Sequence, residues 1–167
     1  MTDSEKQSRF VAGLRQAAEA AAKKNPILAD KLTLAKALVT EARMRIAGNQ
    51  DYSPLGAYMQ NDGQVSIIPS EHESSLSTIE IVSTLKALAA GGHIRAAAFC
   101  EVGDRQIPGS PVLKFIQLHT EHVAGKPFVS AIPVDESALK ATAPGADGPA
   151  LGVFGGPTRA IIFPPEN

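Results

Sequence analysis

The 167-residue chain has no tryptophan, two tyrosines, six phenylalanines and one cysteine, Cys100. With so few rings, the core must be aliphatic, built from Ala, Ile, Leu and Val, and a flat aromatic cofactor has little to stack on. A single cysteine excludes an intramolecular disulfide and any Cys-Cys zinc site. Neither sign of charge is in excess: 16 basic and 17 acidic residues give a net charge of -1, so the electrostatic footprint of a nucleic-acid partner or an anionic membrane is missing. Long apolar runs are lacking too, and MTDSEKQSRF has no signal-like hydrophobic stretch. A cytoplasmic protein with neither nucleic-acid nor membrane partners is therefore expected.

What is present reads as one domain, since 167 residues suffice to bury a continuous core. Thr2 and Glu5 have the spacing of a capping box, and a helix should follow to Lys24 with Phe10, Leu14, Ala17, Ala18 and Ala21 on one stripe. Asn25 and Pro26 stop it. A second helix is expected to Ala47, its seam formed by Leu28, Leu32, Ala35, Val39, Ala42 and Ile46, packed within the chain or against a partner.

The stretch PLGAYMQNDGQVSIIP alternates apolar and polar on both sides of Asp62-Gly63 and predicts a tight hairpin. A helix over 76–90 follows, capped by Ser74, Ser75 or Ser77 and stopped by Gly91-Gly92. Strands are expected over 93–102, 112–123 and 127–134, then a glycine- and proline-rich stretch with a helical turn at 136–140, and a last strand over 159–163. Cys100 should share a strand face with Ile94, Ala96, Ala98 and Val102, buried and inert.

The fold class predicted is α+β: a mostly antiparallel sheet in the order strand, strand, helix, strand, strand, strand, with an N-terminal pair of helices. Residues 1–48 make the helical pair, 54–134 the sheet with its crossover helix, and 135–167 an irregular tail with one strand. This element order resembles the profilin-like folds, among them roadblock and PAS-type domains. Tyr58, Asp62-Gly63, the run GHIRAAAFCEV at 92–102, and Glu121-His122 with Gly125 also resemble small uncharacterised bacterial proteins, to which no function is attached.

Chemistry concentrates in FIQLHTEHVAGKP, residues 115–127. On a helix, His119 and His122 would share a face and could hold one metal; on the strand expected here they point apart, and His119 pairs instead with Glu121. Zinc needs a third protein ligand, for which His72, in Glu71-His72-Glu73, is the candidate beside His119 and Glu121. No serine stands in a GxSxG elbow, and no GxGxxG or GxxxxGKS/T cradle is present, so no cofactor is expected. The connection GDRQIPGSP displays Asp104, Arg105 and Ile107 and is the candidate interaction loop.

These features favour a non-catalytic binding or regulatory module that meets a protein partner or a second copy of itself, in a homodimer. A small metal-assisted hydrolase using His119, Glu121 and His72 is the alternative from another class. A PAS-like sensor of a small ligand is a third.

Overall fold

The computed structural model describes residues 2–48, 53–70, 73–105, 109, 112–134 and 154–163. Helix α1 (Asp3–Lys24) begins with the expected capping box: the Glu5 amide donates to Thr2 Oγ1, and the Thr2 amide donates to Glu5. Asn25 alone separates it from α2 (Pro26–Ala47). The Asn25 side chain accepts from the amides of Ile27 and Leu28, and Pro26 occupies the first helical turn, where its missing N–H costs nothing. The α2 helix lies on the sheet, whereas α1 packs on α2, with Lys36 and Glu19 3.5 Å apart across the corner. Ala17 and Ala21 of the expected α1 stripe are exposed.

Among the described residues six strands follow: β1 (Leu55–Gln60), β2 (Val65–Ile68), β3 (Ile94–Arg105), β4 (Leu113–His122), β5 (Phe128–Pro133) and β6 (Phe154–Pro157). Helix α3 (Thr78–Ala90) crosses between β2 and β3. It starts at Ser77, whose hydroxyl accepts from the Glu80 amide while Glu80 accepts from the Ser77 amide. All neighbouring strands are antiparallel, in the order β2-β1-β3-β4-β5-β6. The α+β class and the expected element order are both present. The hairpin at Asp62-Gly63 forms with Gly63 at φ +94°, a conformation open to glycine.

The two sheet faces carry separate cores. Leu34, Leu38 and Ala42 of α2 cover Leu55, Ala57, Met59, Ala96, Ala98, Cys100, Ile116 and Leu118 on one face. On the other, Ile81 and Leu85 of α3 pack with Ala97, Ile94, Ile162 and Phe163. Gly56 lies under α3: a Cβ there would stand 2.6 Å from Ile81 Cγ2, so the absent side chain sets the approach of helix to sheet.

Four expectations are corrected. The α2 contact face is turned toward Leu34 and Leu38, because the helix beds into a broad sheet rather than a narrow helical seam; Ala35, Val39 and Ala42 remain part of it. Ile94 does not share the Cys100 face. The pairing slips between Met59 and Gln60, so Ile94 opposes Gln60 while Ala96 opposes Met59, and the extra residue, Arg95, turns Ile94 to the α3 side.

β3 also continues past Val102 to Arg105, since the ladder with β4 runs on to the Arg105 and Leu113 pair. Finally, the last strand among the described residues is FGGP at 154–157, and residues 159–163 are not a strand although Ile161, Ile162 and Phe163 favour one. Their amides are drawn to a side chain instead of a ladder. Residues 136–140, read as a helical turn, lie outside the described residues.

Candidate functional site: a buried carboxylate under residues 161–163

β4 brings the polar group His119, Thr120, Glu121 and His122 into the interior, all buried. Strand alternation separates them as expected. His119 and Glu121 face the α3 side, opposite Phe99 and Ala97 in the ladder; Thr120 and His122 face the α2 side, opposite Ala98 and Ala96.

Glu121 is 1% exposed and both its oxygens are occupied. Oε1 accepts from the amides of Ile161 (2.6 Å) and Ile162 (2.9 Å), and Oε2 accepts from the amide of Phe163 (2.9 Å). His119 Nε2 lies 2.6 Å from Oε1. A carboxylate can only accept, so Nε2 carries the proton. The His119 ring is stacked on Phe99 with centroids 4.8 Å apart. Burial works to raise the Glu121 pKa, but the hydrogen bonds from His119 and from the Phe163, Ile161 and Ile162 amides outweigh it and hold the carboxyl below its ordinary value. An ionised carboxylate thus fixes three consecutive backbone amides, and Ile162 and Phe163 are carried into the α3 core.

On the opposite face, Asp30 of α2 joins β3 to β4. Arg95, the residue at the register slip, donates from Nε and Nη2 to Asp30 at 2.9 Å each and from Nη1 to the Asn61 carbonyl. His122 Nε2 lies 3.1 Å from Asp30, and its Nδ1 accepts from the Ala124 amide at 3.0 Å. Because Nδ1 accepts while Nε2 faces a carboxylate, the ring is the neutral Nε2–H tautomer. For Asp30, burial again pushes the pKa up and the bonds from Arg95 and His122 bring it lower overall. Lys31 donates to the Lys126 carbonyl, and burial depresses its pKa. The β4–β5 turn and the α2 N-terminus are thereby tied together.

His119 and Glu121 are thus adjacent, as the sequence implies, and His72 lies outside the described residues. Among the described residues, no group of three or more His, Cys, Asp or Glu is placed to hold a metal. Both Glu121 oxygens already accept from N–H groups, three at Oε1 and one at Oε2. Asp104 ends in strand β3 and pairs with Lys114 at 3.0 Å, Arg105 closes the same strand, and Ile107 lies outside the described residues. Cys100 is buried, and burial pushes its thiol up to about 12, where it stays protonated and unreactive at neutral pH.

Asp30, Arg95 and the 161–163 segment were not marked as site residues by the sequence. An RAxxF-type stretch and one aspartate on an amphipathic helix carry no spacing signal, because their partners lie 40 to 92 residues away. Comparison with protein-family models, with curated proteins and with solved structures finds no match for the chain. Among the described residues, no helix is long and apolar enough to cross a membrane.

Proposed function

We propose that the protein is a non-catalytic binding module that associates with a second copy of itself through the end of the sheet formed by the β4–β5 hairpin. The observation that carries this reading is the placement of exposed apolar side chains. Of the seven large hydrophobic residues exposed among the described ones, Val123, Phe128, Val129 and Ile161 sit at this hairpin end or on the segment pinned beneath it. Four such residues gathered at one end, while His119, Glu121 and His122 are bonded internally, are the composition of a contact surface rather than of a reaction centre. The Glu121, His119, Asp30, Arg95 and His122 hydrogen bonds hold that end rigid, and a rigid surface loses less entropy on association.

The test is the mass in solution over a range of concentrations, by light scattering, for the wild type and for Val129→Asp. Val129 is 42% exposed, so the substitution spares the core. The wild type is expected to form a dimer, and the aspartate to weaken it at least tenfold by leaving a charge in a desolvated patch. A wild type that stays monomeric at all concentrations contradicts the proposal.

A further inference from the structure

The hold on residues 154–163 has an unusual construction. Among the described residues, β6, FGGP, pairs only with β5, from Phe128 opposite Pro157 to Ala131 opposite Phe154, and Thr158 extends the pairing through its amide to the Pro127 carbonyl. Gly155 and Gly156 bring no side chain to this strand. The firmer grip comes afterwards, from the Glu121 carboxylate on three amides and from Ile162 and Phe163 in the slot beside Ile81, Leu85, Ile94 and Ala97.

Segment 154–163 is therefore a compact unit with its own docking site. Its link to β5 is long: 19 residues, 135–153, separate Val134 from Phe154, although β5 and β6 are neighbours in the sheet. Antiparallel neighbours are commonly joined by two to five residues. A chain of that length has a reach of up to about 60 Å, far more than the step to the adjacent strand requires.

We infer that the site formed by the β5 edge, Glu121 and the Ile81–Leu85 slot receives segment 154–163 from a second copy of the chain, giving a dimer by reciprocal exchange. The inference rests on the self-association proposed above and names its contacts. The occupant is defined by what already sits in the site: the same segment satisfies the same carboxylate and the same slot whichever chain supplies it. Exchange forms no new kind of contact within the site. The gain comes from the surroundings, because Phe128 and Val129, which oppose Pro157 and Gly156 in the ladder, stand exposed beside the docked segment and are covered when two copies meet there. Against it stands the tether, which keeps the chain's own segment at an effective concentration on the order of millimolar, so exchange grows with protein concentration.

The experiment uses full-length chains carrying Phe128→Cys in one and Pro157→Cys in the other, positions that oppose each other in the β5–β6 register and are both exposed. Cys100 stays in place, buried and unreactive. The two proteins are mixed at high concentration, incubated and oxidised. A chain carrying both substitutions shows that the pair forms a disulfide when its partners are apposed, and Met44→Cys, exposed on α2, mixed with Pro157→Cys measures chance collision.

Exchange predicts a mixed disulfide dimer at least fivefold above that chance level and rising with concentration. A yield equal to chance overturns it. Light scattering on the same samples separates the two proposals: a dimer mass with only chance cross-linking leaves self-association standing and removes exchange, whereas a monomer mass at all concentrations removes both.

Discussion

Glu121→Ala is expected to lower the unfolding free energy by about 3–5 kcal/mol, the range for removing one partner of a buried charged network. Three amides, those of Ile161, Ile162 and Phe163, lose their acceptor, and His119 loses its own. If the segment lifts out so that water can solvate those amides, Ile162 and Phe163 leave the α3 core with it, at a cost of about 1.5–3 kcal/mol each. Both routes give a similar loss, a large fraction of the 5–15 kcal/mol typical of a domain.

Glu121→Gln should cost roughly 2 kcal/mol, since its amide oxygen still accepts on one side while its NH2 meets an N–H on the other. Urea denaturation of the three proteins measures the series, with the order wild type, glutamine, alanine. The same network sets an acid dependence. The folded-state carboxyl of Glu121 is depressed, so its contribution is fully present above the unfolded carboxylate range, near pH 4, and is lost as pH falls through the lower folded value. Glu121→Gln should flatten that part of the profile.

Asp30→Ala is the second large effect expected, a loss of about 2 kcal/mol, below the usual buried-pair range because Arg95 keeps a third of its side chain in water. The substitution removes the acceptor of two Arg95 bonds and one His122 bond at once. These bonds cross from α2 to β3 and β4, so the first turns of α2 should loosen while α3 is unaffected. Amide exchange in residues 27–33 compared with 81–88 measures that asymmetry. In the double variant Asp30→Ala, Arg95→Ala, the loss should be less than the sum of the single losses, since either change breaks the shared contact.

The two substitutions also show how far local sequence reached. Capping boxes, the Asp62-Gly63 hairpin and apolar alternation in β1, β3 and β4 are encoded within a few residues, so the element order was legible, and so was the parting of His119 from His122 onto opposite faces. The pairing of His119 with Glu121 follows from the same two-residue period. What escaped depends on distant partners. The slip between Met59 and Gln60 belongs to the pairing of two strands, and it alone turns Ile94 away from Cys100 and makes Arg95 the extra residue beside Asp30.

Residues 159–163 have strand-forming side chains, yet a carboxylate about 40 positions earlier captures their amides, while the less promising FGGP takes the sheet edge. The polarity of HTEH, which first suggests a metal or catalytic site, is explained by those same long-range bonds.

The central claim, that Glu121 is a buried anchor for the 161–163 backbone, is tested most directly by hydrogen exchange at the amides of Ile161, Ile162 and Phe163. The account predicts that all three are protected near pH 7, comparably to ladder amides of β4, and that Glu121→Gln speeds their exchange by more than tenfold while the β1–β3 ladder keeps its protection. Exchange of these amides at the rate of an unstructured peptide in the wild-type protein would contradict it.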